Sequence, residues 1–473
     1  MPAMARSGRA LGVLLGAGLL ALMAVPLVVW QVSPLTLLGM VIGAASLVAI
    51  ALNPYVGVHA FILLLYLEYA LTVGGTMTLM KLLGVVIIGS WLLSMAVRRR
   101  FDVRFDGFTL ALALFLAWTA ASLLYAYDSE AAERSLFAFS QLGLLALMFS
   151  SVVDDVEKVR GVCWAIVVWT LLSTIIAIGM YYVGATRYAV GLLGNKNLLA
   201  DYINVAIVCA HLLLLSTAHR PARLFLASTL PPLYLGLALT LSRTGLIILG
   251  ALLLVVWYRV ARQRGFLILV SSVIALVLIT FVLPSTFFKR ASTILPAIQR
   301  QQDTFGTRVR LWKIAGRMIA DHPLTGVGSG NFVAAYPRYA HGEMETRMYV
   351  THSAYVGMAA ETGLVGLTLF LVLIGLALRE ADRAIQIAKR MKLPDLEYFA
   401  VAAEVSLLSM ALSGLAGNVE GSKMLWMFFG FAVGLGRVAR GLVPTEGRSV
   451  VPPPTGVGTP AGAPVWTQAR IRP

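Results

Sequence analysis

One histidine in this chain stands where proton chemistry meets an apolar run. His352, in YVTHSAYVGMAAETGLVGL, follows a long polar segment and directly precedes a hydrophobic stretch. A neutral imidazole, with an unperturbed pKa of about 6.5, can take a proton from a hydroxyl nucleophile at neutral pH. The alternative is a helix-start histidine satisfied by backbone groups. Nine residues on, Glu361 falls two to three turns into the apolar run, where an ionisable group is expensive. It either forms a structural ion pair, or orients a polar neighbour or a substrate. Gly363 and Gly366 then leave room for another helix to approach closely.

Two arginines offer the complementary chemistry. Arg243 interrupts the apolar sequence LTLSRTGLIIL, where it must find water, an anion or a carboxylate, or snorkel to the interface. Arg187, in ATRYAVGLLGNKN, falls on the same membrane face in the topology derived below. Converging there, the two could clamp a diphosphate through bidentate hydrogen bonds. Asn195, Lys196 and Asn197 add polar contacts beside them, although a plain turn and helix N-cap accounts for them as well.

The elements that must position these residues are membrane helices. Hydrophobic residues make up 59% of the 473 and charged residues only 13%, against about 25% charged in ordinary soluble domains. Apolar runs long enough to cross a core of roughly 30 Å recur from end to end, about fourteen in all. Arg6 and Arg9 precede the first run, with no clean cleavage site after it, so a retained first span is expected rather than a signal peptide. If the N-terminus is cytoplasmic, the basic residues Arg98–Arg100, His219–Arg223, Arg259–Arg264, Arg379–Lys392 and Arg437–Arg440 all fall inside. The connections 184–197, Ser242–Arg243 and 284–352 then face outward. The net charge of +16 therefore reflects basic cytoplasmic loops and gives no reason to invoke nucleic acid. Cys163 and Cys209 lie in apolar runs and read as core residues; no Cys/His cluster has metal-ligand spacing, and no cofactor fingerprint is present. Glu68, Lys81 and Glu404 also fall within spans, with nothing else to mark them.

The expected organisation is eleven transmembrane helices over 1–283, a long outer loop over 284–352, three more helices over 353–440 and a Pro/Gly-rich tail, disordered by composition, over 441–473. The outer loop carries nine basic residues (Lys289, Arg290, Arg300, Arg308, Arg310, Lys313, Arg317, Arg338, Arg347) against four acids, a surface suited to an anionic ligand. Within it, 308–320 predicts an amphipathic helix: Leu311, Ile314, Ala315, Met318 and Ile319 form one stripe, and Arg310, Lys313 and Arg317 another face. Such a helix could lie at the membrane surface with its basic side toward phosphates. Asp321-His322-Pro323 ends it, and Gly326, Gly328 and Gly330 mark a tight turn.

Several of these segments together resemble the O-antigen ligase and polymerase family of membrane glycosyltransferases. RVRLWKIAGRMIADHPLTGVGSGNF looks like the family's outer-loop signature. From His352 the chain reads H-S, nine residues, G-L-V-G-L-T, similar to the ligase pattern, with Leu367 in place of its first threonine. Arg187 before GLLGNKN and Arg243 in SRTG look like the family's two important arginines. The resemblance spans roughly 187–380. It implies an all-α, GT-C-like polytopic protein of 12–14 helices in the bacterial inner membrane, its active site facing the periplasm. It implies metal-independent, inverting transfer of a glycan from undecaprenyl diphosphate to a lipid A–core hydroxyl, or, in a polymerase, to another lipid-linked glycan. His352 would be the general base, Arg187 and Arg243 would hold the diphosphate, and Arg310 and Arg317 are further candidates for phosphate or glycan contact. A lipid or polysaccharide transporter is the rival from another class. Transporters keep charges near the bilayer midplane, whereas here they gather at one face beside a large loop.

Overall fold

A computed structural model of the chain describes residues 48–50, 52–67, 79–98, 104–260, 262–280, 304–340 and 350–443. The expected first span, most of the second, Glu68, the side chain of Lys81, the loop residues Lys289, Arg290, Arg300 and Arg347, and nearly all of the tail lie outside these. The described residues are helical and contain no strand. In chain order the helices are α1 (Pro54–Leu67), α2 (Leu79–Arg98), α3 (Gly107–Ala121), α4 (Ser129–Val152), α5 (Val156–Tyr182), α6 (Lys196–Ser216) and α7 (Arg220–Leu239). They continue as α8 (Arg243–Arg259), α9 (Arg262–Thr280), α10 (Thr304–Asp321), α11 (Phe332–Tyr339), α12 (Ala354–Arg390), α13 (Pro394–Ser413) and α14 (Lys423–Leu442).

Eight of these, α3 (with the short 3-10 turn that follows it), α4–α7 and α12–α14, are long and apolar enough to cross a membrane. The expected spans near 54–74, 78–97, 244–258 and 266–283 appear as helices α1, α2, α8 and α9, which fall outside that group. The protein is a multi-pass, all-helical membrane protein. α6, α13 and α14 are enclosed by their neighbours, while leucines and isoleucines such as Leu110, Ile175 and Ile247 point outward from the surrounding helices. Lipid tails give apolar helices little reason to associate, so close contact must come from small residues. Gly430 of α14 does this: any side chain there would strike the Ala146 carbonyl of α4.

Successive spans reverse direction, which sorts the loops into two ends. At one end lie Arg160 with Asp395, Arg259 with Asp382, and Arg437 with Asp106. At the other end the Ala354 amide bonds to the Gly414 and Gly417 carbonyls, Ala189 to Leu239, and Ser242 to Asn197.

Two elements differ from expectation. α12 runs for 37 residues, through the basic segment expected to be a loop. At 1.5 Å per residue its unbroken part, 364–390, is about 40 Å long, well beyond the hydrocarbon core, so its charged last turns emerge without ending the helix. The stripe of α10 is turned onto protein: Leu311, Ile314, Ala315 and Met318 are buried against α11 and Ala360 of α12 rather than facing lipid.

Candidate active site

His352 sits two residues ahead of α12 with φ of 52°, in the left-handed region that non-glycine residues avoid. That conformation costs on the order of 1 kcal/mol, and neighbours on three elements hold it. The Trp312 indole of α10 donates to the Thr351 carbonyl at 3.0 Å. The Thr351 hydroxyl donates to the Ser353 carbonyl at 2.9 Å and accepts from the Asn418 amide at 3.3 Å. Ser353 caps α12, its hydroxyl accepting from Val356. The imidazole itself is half-buried. Burial, and then the positive charge of Arg308, lower its pKa below the ordinary value and favour the neutral ring that can accept a proton.

Below the histidine, α12 is broken. Gly363 has φ 68° and ψ −175°, far from helical values, although the helix resumes at once. The break strips carbonyls of their helical partners, and the turn after α10 and a side chain of α3 supply replacements. The Val327 amide donates to Ala360 at 3.0 Å, Gly328 to Glu361 at 2.9 Å, and the Trp118 indole to Thr362 at 2.9 Å. In return the Leu364 amide donates to the Pro323 carbonyl at 2.8 Å. A Cβ at Gly363 would land on the Leu324 carbonyl. The α3–α4 connection pins the same turn, with Asn331 and Asp128 exchanging hydrogen bonds. Glu361 is committed here: one carboxylate oxygen accepts from Gly330 at 2.8 Å and the other from Phe332 at 3.1 Å, at the start of α11. It forms no ion pair among the described residues, and its carboxylate anchors the turn beside His352.

The arginines lie at this same end. Arg243 is the first residue of α8, capped by Ser242, whose hydroxyl accepts from Gly245 and donates to Asn197 Oδ1 at 3.0 Å. Arg187 is exposed in the α5–α6 connection, 5.9 Å from the Tyr188 ring, which also receives Lys196 at 4.2 Å. Asn195 is the N-cap of α6, accepting from the Asn197 and Leu198 amides. A path of contacts joins this group to the histidine. Asp201, one turn beyond Asn197, accepts from the Ser413 hydroxyl, and the neighbouring Gly414 carbonyl accepts from Ala354. Arg317 donates to the Tyr339 carbonyl at 2.8 Å and ties α10 to the end of α11, while Arg310 is exposed, with Thr307 as a neighbour at 3.4 Å.

Residues that the sequence did not single out complete the surroundings. Arg308 continues the buried stripe of α10 one turn toward its start, at i−3 from Leu311 and i−7 from Ala315; a cation at an apolar position of the period was the available signal. Glu420 lies in the short α13–α14 connection and accepts from Asn418 at 3.2 Å; burial raises its pKa, with the Asn418 amide acting against this. Its signal was an acid in a short loop on the histidine's side. Asp201 carried none beyond its place on α6. Among the described residues, no group of three His, Cys, Asp or Glu side chains comes together in the manner of a metal site.

The chain matches no curated protein. Residues 224–371 match the model of a family described as O-antigen ligase. The matched stretch contains Arg243, α10, the glycine turn, His352 and the break in α12, whereas Arg187, Asp201, Asn418 and Glu420 fall outside it. The match covers 148 of the 473 residues, less than half of the chain, and over that stretch the chain is similar to the O-antigen ligase family.

Proposed function

We propose that this protein transfers a glycan from undecaprenyl diphosphate to a hydroxyl of a lipid A–core saccharide at the periplasmic face of the bacterial inner membrane. The observation that carries this reading is the half-buried His352, held with its proton affinity lowered at the same end of the bundle as Arg187 and Arg243. The acceptor oxygen attacks the anomeric carbon as its proton passes to the imidazole. The bond to the diphosphate oxygen breaks on the opposite face, and the electron pair leaves with the lipid diphosphate, so the anomeric centre inverts. Arg187 and Arg243 meet the charge developing on that leaving group in place of a metal ion. Because cytoplasmic loops are basic, the end bearing Arg160, Arg259, Arg437 and Arg440 faces the cytoplasm and the histidine faces out.

Purified protein incubated with lipid-linked glycan and EDTA tests this, with lipid A–core and further lipid-linked glycan offered as separate acceptors. The expected product is glycan on lipid A–core, with the rate falling by about 10²–10⁴ in His352→Ala and strongly in Arg243→Ala. Lengthened lipid-linked glycan would make the protein a polymerase using the same groups. Transfer to neither acceptor would return the transporter reading, and activity abolished by EDTA would overturn the metal-independent mechanism.

A further inference from the structure

Two buried polar atoms close to His352 have no hydrogen-bond partner among the described residues: Arg308 Nε and Glu420 Oε2. Native proteins leave few such atoms, because each gives up its hydrogen bonds to water without replacement. Elsewhere, Arg160 Nε and Glu404 Oε2 are also unpartnered, but those side chains already form ion pairs through their other atoms. Arg308 and Glu420 form no ion pair with another described residue.

Both lie close to groups that hold Thr351. Arg308 is one turn before Trp312, which donates to the Thr351 carbonyl. Asn418 donates both to the Thr351 hydroxyl and to Glu420 Oε1, and the Trp426 indole fixes the Glu420 backbone at 2.7 Å. A donor on α10 and an acceptor in the α13–α14 loop therefore lie beside the groups that hold the residue next to the histidine.

Their chemistry selects a ligand. A guanidinium N–H repels a cation, and a carboxyl group repels a diphosphate, so neither ion satisfies both. A sugar hydroxyl donates and accepts through the same oxygen, and a pair of ring hydroxyls satisfies both groups. The arginines at the α5–α6 and α7–α8 connections already suit the donor's diphosphate. We propose that Arg308 and Glu420 bind ring hydroxyls of the acceptor sugar and present it to His352, an assignment that rests on the glycan-transfer reading above.

The test pairs binding with transfer. Lipid-free core oligosaccharide, released from lipopolysaccharide by mild acid, is titrated calorimetrically into the full-length protein, its Glu420→Gln and Arg308→Gln variants, and Arg440→Gln as a far-end control. The lipid-free repeat-unit glycan is titrated in the same way. Each site variant is expected to weaken binding of the acceptor glycan roughly tenfold, as for loss of one hydrogen bond to a charged group. It should also raise the acceptor KM about as much, leaving the donor KM unchanged. Arg440→Gln should bind as wild type does. Binding within about twofold of wild type in both site variants would overturn the proposal, as would transfer by a wild-type protein that binds neither glycan. A wild-type protein that neither binds nor transfers would sink the glycan-transfer reading itself, and this proposal with it. Should Glu420→Gln melt early, Glu420→Asp asks the same question with the carboxyl retained but withdrawn.

Discussion

At one end of the bundle Arg437 meets Asp106 at 2.7 Å, Arg160 meets Asp395 at 2.7 Å, and Arg259 meets Asp382 at 2.8 Å while also contacting Glu404. At the other end Arg308 and Glu420 each keep a buried atom without a partner, and a histidine is held at positive φ near Arg308. Both ends remove charge from water, yet only the first compensates it within the protein. Such pairs contribute little net stability once desolvation is counted. Their consequence is that each guanidinium there already holds a carboxylate. The histidine end bears the opposite imbalance, which a ligand can relieve.

If that end depends on one backbone break, closing the break should have the largest effect. Gly363→Ala places a methyl group on the Leu324 carbonyl at a φ of 68°. Strain and overpacking together should cost about 3 kcal/mol and detach the glycine turn from α12, removing transfer with it. Gly375→Ala on the same helix, where nothing lies within 4 Å of a new Cβ, should be neutral or slightly stabilising. Thermal unfolding of the two variants in detergent, alongside transfer assays, measures the difference. Equal melting curves would mean that the break is not needed to hold the site.

The paired end should respond in the converse way. Arg437→Met keeps much of the packing volume but leaves Asp106 without its guanidinium. Asp106 remains 28% exposed, so the loss should be about 2 kcal/mol, below the 3–5 kcal/mol typical of a fully buried broken pair. The unfolding midpoint should fall while the acceptor KM and donor KM hold. Lost transfer at unchanged stability would break the division of labour between the ends.

How much of this was readable beforehand divides along the same line. Spans, the α10 stripe and the glycine turn follow from periodicity and composition, because apolar length and a 3.6-residue repeat act locally. Glu361 was legible as an unusual residue but not as the anchor of α11. Its partners, the Gly330 and Phe332 amides, precede it by 31 and 29 residues and become neighbours only through the turn. The break at Gly363 was invisible for the same reason: a glycine in an apolar run reads as a packing site, and only the docked Pro323–Gly328 segment makes a non-helical residue stable there. The apolar stripe of α10 follows from its period, but a single helix cannot say what it packs against, so a place at the membrane surface and a place on protein are equally open to it. Arg308 shows the cost of stopping the stripe at Leu311, one turn short of the cation beside the histidine.

The smallest expected effect is also the most specific. Arg308 lowers the His352 pKa, in the same direction as burial. Removing its charge in Arg308→Gln makes the imidazole easier to protonate, so that pKa rises. The base is active only when neutral, so the acid limb of the pH–kcat/KM profile should move to higher pH, and transfer at mildly acidic pH should fall more than transfer at pH 8. Arg308→Lys keeps a cation at the site and should return the limb toward its wild-type position, even if the hydroxyl contact through Nε is lost. A merely structural role for Arg308 would lower activity evenly at every pH. A limb that does not move in Arg308→Gln would therefore separate the arginine from the histidine's chemistry and leave it, at most, a contact for the acceptor sugar.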